Sequence, residues 1–284
     1  MIAFFGTGML GSGFVRALRK RGEQVAVWNR THAKAVALEA FGAKAFEDPA
    51  EAVRGAARVH LSLSDDAAVD EVLERALPGL SPDVVIVDHT TTSAHGTAAR
   101  VARWTDRKLA FVHAPVFMGP QNALESTGLM LVSGDPARTE PIRAVLELMT
   151  GKLLDLGPRV DAAAAFKLMG NCFLMFLTTG LAEMLMIAKA TGIAPEEAVK
   201  LFDAFNPGTT IGLRAKRMLD GNWSSPSWEL AMARKDARLM LEETERMHLA
   251  LSVLPAIAAR MDTVIAEGHG KSDWTVLAKD ALTK

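Results

Sequence analysis

Two hydrophobic periods alternate along the first half of the chain, and this alternation limits the fold more than any other feature. Short apolar runs occupy Ile2–Phe5, Gln24–Trp28, Arg58–Leu63, Val84–Val87, Leu109–Ala114 and Leu129–Val132. Helical spacing fills the intervals at Met9–Arg21, Ala33–Ala40, Ala67–Leu77, Ala94–Trp104 and Ala137–Thr150. Strand–helix alternation predicts a doubly wound α/β domain, a parallel sheet with helices on both faces. Turn formers at Pro78-Gly79, Ser81-Pro82-Asp83 and Gly134-Asp135-Pro136 fall between these runs. Past Gly157-Pro158 the strand-like runs largely cease. Residues 162–191 read as one apolar helix of roughly 30 residues, with Gly192 as its stop and Pro195 as the next start. Further helical stretches are Pro195–Ala204, Arg214–Leu219, Trp228–Met247, Leu254–Glu267 and Asp273–Leu282. The expected layout is a sheet domain, 1–158, joined by a long helix to an all-helical domain, 159–284.

Charge and composition remove several classes of function. Among 284 residues, 32 are Lys or Arg and 33 Asp or Glu, for a net charge of −1. No basic excess points to nucleic acid. A single cysteine excludes an internal disulfide framework and is compatible with a reducing, cytoplasmic setting. Met1 runs directly into the strand-like Ile2-Ala3-Phe4-Phe5, so a secretory signal is not expected. The most apolar stretch, Cys172–Ala190, carries Glu183 and Lys189, so it is expected to be a buried core helix and not a membrane span. A helix apolar over so much of its circumference needs cover on more than one face. Self-association is the simplest source, and a homodimer or homotetramer built through the helical domain is expected. Met169, Met175, Met184 and Met186 are expected in that core or contact, and Cys172 is expected in the core rather than as a nucleophile.

Gly6-Thr7-Gly8-Met9-Leu10-Gly11 fits G-x-G-x-x-G, follows the first strand and opens a helix. Gly6 permits the tight turn, Gly8 allows close approach of a pyrophosphate, and Gly11 lets helix and strand pack closely. The helix N-terminus adds free N–H groups and positive dipole. A dinucleotide is the expected ligand. Sites that prefer NADH commonly carry Asp or Glu about 20 residues on, bonding the ribose 2′-hydroxyl. Here Val27-Trp28-Asn29-Arg30-Thr31 stands there, with Lys34 one turn later and no carboxylate. Arg30 suits a 2′-phosphate as a planar fork, with Asn29, Thr31 and Lys34 as further donors. NADPH is expected over NADH.

Lys167 and Asn171 are four apart and share one helix face at the start of the long helix. A lysine among Phe166, Leu168 and Met169 is costly unless it has a partner or a task. Burial would lower its pKa toward a useful acid–base range. On spacing alone, a snorkelling lysine at a helix edge is an equal reading.

With these motifs in order, the chain resembles the β-hydroxyacid dehydrogenase family, which includes 3-hydroxyisobutyrate dehydrogenases and tartronate semialdehyde reductases. Gly6–Gly11 matches its dinucleotide motif. Asp88-His89-Thr90-Thr91-Thr92-Ser93 is similar to its D-x-S-T loop, and Ala114-Pro115-Val116 with Gly119 to its D-A-P-V-S-G-G loop. Lys167 and Asn171 match its K-x-x-x-N pair, Lys235-Asp236 its K-D motif, and Gly268-His269-Gly270 with Asp273 its closing G-x-G-x-x-D. The resemblance covers nearly the whole chain. It implies a Rossmann-type α/β domain and an all-α C-terminal domain. It also implies an oxidoreductase that moves hydride between a nicotinamide and a small carbonyl or 3-hydroxy acid. On that likeness Lys167 is the general acid/base and Asn171 its helper. Leu63, Ser64, Thr90, Thr91 and Lys235 belong to the cofactor's surroundings. Thr91, Val116, Phe117, Met118 and Gly119 line the substrate end with Lys167 and Asn171.

The chain departs from the family where the substrate loop continues. Phe117-Met118-Gly119 stands in place of Ser-Gly-Gly, and Pro120 lacks an N–H. The carboxylate grip is expected to be altered and the substrate less polar. His113 replaces the aspartate before Ala-Pro and is expected to be a packed strand-end histidine. The seven histidines form no metal-binding spacing, so no metal is expected. The absence of tyrosine removes a tyrosine acid. Two other readings stay open. One is an imine reductase, a group that shares the W-N-R-T segment but usually carries Asp or Tyr in place of Lys167. The other is a non-catalytic NADPH-binding protein.

Overall fold

The structure is a computed structural model and describes residues 1–282. One compact unit ends at Cys172 and a second opens at Phe173. In the first unit, six strands form a parallel sheet in the order β3-β2-β1-β4-β5-β6. They are β1 (Ile2–Phe5), β2 (Val25–Trp28), β3 (Lys44–Phe46), β4 (Arg58–Leu61), β5 (Val85–Asp88) and β6 (Ala110–His113). The order reverses direction between β1 and β4, so a crevice opens beyond their carboxyl ends, the usual ligand position in such sheets.

β1 is buried along its whole length, as a strand covered on both faces requires. Its period of two divides the core. Ile2 and Phe4 join one apolar cluster with Phe14, Val25 and Val27, while Ala3 and Phe5 join another with Trp28, Val59 and Leu61. The covering helices are α1 (Met9–Lys20), α2 (His32–Val36), α3 (Pro49–Val53), α4 (Asp66–Ala76) and α5 (Ala94–Asp106).

The apolar run at Leu129–Val132 does not continue this sheet. It forms the centre of a separate three-stranded sheet, with β7 (Val116–Phe117) antiparallel and β9 (Lys152–Asp155) parallel to β8 (Leu129–Val132). Helices α6 (Pro120–Glu125) and α7 (Pro136–Glu147) lie between these strands in the chain.

Helix α8 spans Ala162–Ala190. Its first turns belong to the first unit: Ala162, Ala163 and Ala164 are buried, and the Ala163 N–H donates to Ser133 Oγ at 2.9 Å. Gly192 follows its end at φ +74°, the left-handed stop expected there. The expectation of a buried core helix needs correction. Met175 is 68% exposed and Phe176 59%, and only 6% of the most apolar 18-residue window is buried. Cys172, expected in the core, is also exposed. Past its first turns α8 leaves most of its large apolar side chains exposed, so periodicity identified an apolar helix but not the surface that would bury it.

The second unit contains α9 (Pro195–Ala198), α10 (Leu201–Ala204), α11 (Ile211–Asp220), α12 (Leu230–Arg246), α13 (Leu254–Val264) and α14 (Lys279–Leu282). The single helix expected over Pro195–Ala204 is thus two short ones. Leu230, Ala233 and Ala237 of α12 pack on Ala258, Met261 and Val264 of α13 at 3–4-residue spacing.

Candidate active site

The glycine turn is built as its motif requires. Gly6 has φ +87°, and a Cβ there would stand 2.1 Å from the Ser62 carbonyl oxygen. A Cβ on Gly11 would stand 1.9 Å from the Gly6 oxygen. Gly8, by contrast, faces open space, with nothing within 4 Å of a built Cβ. Gly6 and Gly11 therefore serve the fold, and Gly8 leaves room for something outside the protein. The first-turn N–H groups of α1, at Met9, Leu10 and Gly11, have no intrahelical acceptors. Thr7 Oγ1 is buried at this turn without a partner. Free amides, an unpartnered hydroxyl and vacant space above a glycine fit a pyrophosphate.

The end of β2 is tied to this turn. Asn29 Oδ1 accepts the Thr7 N–H at 3.0 Å, and Asn29 Nδ2 donates to the Thr31 carbonyl at 3.0 Å. Arg30, Thr31 and Lys34 line a cavity of 280 Å³ together with Gly6, Gly8, Asn29, Leu63 and Ser64. Ser62, Ala68, Glu71 and Val72 line it too and were not anticipated. Ser62 lies in the β4–α4 loop, which borders any ligand over the β1 turn, while Ala68, Glu71 and Val72 lie in α4. Glu71, the carboxylate in this lining, is 3.9 Å from Arg75 Nη1.

Thr90 braces the neighbouring loop: its Oγ1 accepts the Leu63 N–H at 3.0 Å, and the side chain is buried. Thr91 beside it is exposed. Beneath them, β4, β5 and β6 bring together His60, Asp88, His89 and His113, all buried. His89 Nδ1 is 2.7 Å from the Ala114 carbonyl, which can only accept, so this nitrogen carries the proton. Its Nε2 then accepts from His60 Nδ1 at 3.0 Å. His113 Nε2 likewise donates to the Thr90 carbonyl at 2.9 Å and lies 3.2 Å from Thr92 Oγ1. His113 is thus the packed strand-end residue expected, with a defined tautomer. Burial pushes His89 and His113 down to about 4 and His60 well below its ordinary value. Burial pushes Asp88 up to about 6, against hydrogen bonds from Thr90.

The lysine lies in the same unit. Lys167 is buried, and its Nζ donates to Asn171 Oδ1 at 2.9 Å. The same Nζ stands 4.0 Å from the centre of the Phe117 ring. Burial lowers its pKa from the lysine value of 10.5. β7 positions Phe117 by pairing with Leu129 of β8. The ring rests on Gly170, where a Cβ would come within 2.3 Å of Phe117 Cζ. Val116 is buried and Met118 packs against the core. The Gly119 N–H is already used, donating to Asn122 Oδ1 at 2.9 Å as α6 begins. Lys167 does not snorkel to solvent: it is buried, with its amine against Asn171 Oδ1 and the Phe117 ring.

Two models of known families match the chain. The NAD binding domain of 6-phosphogluconate dehydrogenase matches residues 1–157, and the NAD-binding domain of NADP-dependent 3-hydroxyisobutyrate dehydrogenase matches 162–280. The chain belongs to the β-hydroxyacid dehydrogenase family. It is an NAD(P)-dependent oxidoreductase of that family's CH–OH type. The chain is similar to 3-sulfolactaldehyde reductase of Escherichia coli (strain K12), at 26% identity over 97% of this chain and 94% of that protein. It is also similar to the chloroplastic glyoxylate/succinic semialdehyde reductase 2 of Arabidopsis thaliana, at 27% identity over 96% and 76%. In fold it is similar to an imine reductase from Myxococcus stipitatus in complex with NADP+. The TM-score is 0.91 at 21% identity, covering 98% of this chain and 99% of that one.

The remaining motifs of this dehydrogenase lie in the second unit. Lys235 stands on α12 with its ammonium 2.8 Å from Asp236 Oδ1. Asp273 is a structural hub. Its carboxylate accepts from the Ser227 and Thr275 N–H groups and hydroxyls, and from Arg217 Nη1 at 2.7 Å. Burial alone would raise its pKa, but these bonds outweigh burial and hold it well below the carboxylate range. Among the described residues, no cluster of three His, Cys, Asp or Glu could hold a metal.

Proposed function

We propose that this dehydrogenase is a cytoplasmic NADPH-preferring reductase of small carbonyl compounds, with Lys167 as the general acid. The observation that carries the reading is the Lys167 ammonium itself. It is buried, held by Asn171 and the Phe117 face, and has one N–H left for a third partner. A bound dihydronicotinamide would supply hydride to the carbonyl carbon. Lys167 Nζ would donate a hydrogen bond to the carbonyl oxygen and hand over its proton as negative charge develops there. Asn171 fixes the direction of that donor. Thr90, through Leu63, sets the loop at the nicotinamide end. In the reverse direction a neutral Lys167 would take the hydroxyl proton. An ammonium also favours a carbonyl over an iminium substrate, since two cations at contact distance repel. Lys235 is assigned to the cofactor's surroundings by the family pattern, and residues beyond about 158 to the substrate and assembly domain.

The preference for NADPH rests on Arg30, Thr31 and Lys34 lining the cavity where a 2′-phosphate would lie, with Glu71 occupied by Arg75. Wild type and Arg30→Glu should be compared in NADPH and NADH oxidation against aldehydes, ketones and cyclic imines. The substitution should weaken NADPH by about tenfold to a hundredfold and leave NADH within about threefold, because charge-assisted bonds to the phosphate become repulsion. Equal losses with both cofactors would remove the preference. Turnover of imines alone would move the enzyme to that class.

We also propose a homodimer, or a pair of dimers, assembled through the helical unit. Helix α8 is long and apolar enough to cross a membrane by length and composition. Two of its charged groups are engaged by protein. Glu183 accepts the N–H groups of Ser252, Val253 and Leu254 at the start of α13, and Lys167 is bonded to Asn171. Phe173, Leu177 and Leu181 line an apolar cavity of 750 Å³ with Phe202, Ile211 and Met218. A second copy of the same surface is self-complementary by symmetry. Sedimentation at micromolar concentration should give a multiple of 30.5 kDa, and Leu177→Asp should reduce it to the single chain. A wild-type monomer at that concentration would refute the assembly.

A further inference from the structure

We propose that Phe117 makes the site select carbonyl substrates that carry no carboxylate, by leaving the Lys167 ammonium a single free donor and setting an aromatic ring where the grip would lie. The inference rests on Lys167 being the acid, and it concerns which carbonyl that acid accepts.

An ammonium offers three N–H bonds. On Lys167 one is directed at Asn171 Oδ1, and the Phe117 face occupies a second direction at 4.0 Å. One remains, which suits a lone carbonyl oxygen. A substrate bearing both a carbonyl and a carboxylate needs a second cation or a set of free amides. The loop that would offer them has two positions that give none. The Gly119 N–H is held by Asn122 Oδ1 at 2.9 Å. Asn122 Nδ2 is itself held by Thr127 Oγ1 at 3.0 Å. Pro120 has no N–H to give. A carboxylate entering beside Lys167 would lose its hydration against an aromatic ring, which offers it no hydrogen bond. A methyl or methylene chain would lose nothing.

The arrangement is fixed by the backbone. Phe117 is held in β7 by its pairing with Leu129, and only glycine at 170 leaves room for the ring. The ring's negative face also stabilises the charged form of Lys167, against the burial that opposes it. With a dihydronicotinamide bound, its hydride would supply the electron pair of the new C–H bond at the carbonyl carbon, so the substrate would be reduced and the nicotinamide oxidised. The C=O pair moves to oxygen, and the Lys167 Nζ–H proton follows it.

The test compares butanal with 4-oxobutanoate, which differ at the far end by a methyl against a carboxylate. Wild type should favour butanal at least tenfold in kcat/KM. Phe117→Ser should narrow or invert that ratio by tenfold or more, and Gly170→Ala, which displaces the ring, should move it in the same direction. Calorimetry with succinate on the cofactor-free protein gives a readout apart from turnover, with no binding to wild type and millimolar binding to Phe117→Ser. Phe117→Leu keeps the bulk without the π face. Its basic limb of kcat/KM should move about half to one pH unit lower, with the substrate ratio kept. Wild-type preference for 4-oxobutanoate, or an unchanged ratio and no succinate binding in folded Phe117→Ser, would overturn the inference. If Lys167→Ala still turns over both aldehydes, the acid assignment itself is the one that fails.

Discussion

Lys167→Ala is expected to lower kcat/KM at least a hundredfold on any accepted carbonyl, with NADPH affinity changed less than about threefold. General acids contribute roughly 10²–10⁴ to rate. The partners of Lys167 among the described residues are the Asn171 amide and the Phe117 ring, neither of them an acid. The glycine turn and the Arg30 cavity do not depend on the lysine, so binding survives. Asn171→Ala should cost less, about tenfold, because it frees a donor without removing the proton. In wild type the basic limb of the pH profile should fall below lysine's ordinary 10.5, since burial disfavours the ammonium. Fluorescence titration with NADPH and steady-state rates check both halves. Wild-type turnover by a folded Lys167→Ala that binds NADPH would refute the role.

Acid should destabilise the first unit well above the usual carboxylate range. His60, His89 and His113 are buried neutral, with His89 and His113 at about 4 in the folded chain against about 6.5 in an unfolded one. Their contribution is fully present above pH 6.5 and is lost as pH falls toward 4, because only the unfolded chain takes up the protons. Asp88 acts in the opposite sense. Its pKa of about 6 lies above the unfolded value, so the folded state holds a proton that unfolding releases between pH 6 and 4. Three uptakes against one release leave a net uptake of about two protons on unfolding near pH 5, a slope of order 2–3 kcal/mol per pH unit. The midpoint of thermal unfolding should drop by about 10 °C from pH 7 to pH 5. His60→Gln keeps a donor for His89 Nε2 and does not titrate, and it should flatten the slope by about one proton. A midpoint constant over that interval would show that the imidazoles are solvated.

Local signals in the sequence carried the phosphate turn and the lysine pair, because each is written within one element. Gly6–Gly11 spans one turn, and Lys167 and Asn171 share one helix face. The contacts that define the substrate end are long-range. Phe117 meets Lys167 and Gly170 across 50 residues or so of chain, and no periodicity encodes that meeting. The histidines are likewise far apart in sequence and converge only because β4, β5 and β6 are adjacent. The strands missed were the shortest or most polar. β7 has two residues, and β9 begins with Lys152 and ends with Asp155. The long helix was legible as a helix, but its burial was not, since burial depends on what lies opposite.

Asn29 has a consequence for how such an enzyme changes cofactor. Its side-chain oxygen secures the Thr7 amide, while Arg30, Thr31 and Lys34 face the adjoining cavity. On the proposed cofactor reading, anchoring the turn and contacting the nucleotide's distal ribose would fall to neighbouring but separate side chains. Drift or engineering at positions 30, 31 and 34 can retune the second task while the first stays mechanically intact. The strand end works as an interchangeable adaptor mounted on a fixed socket.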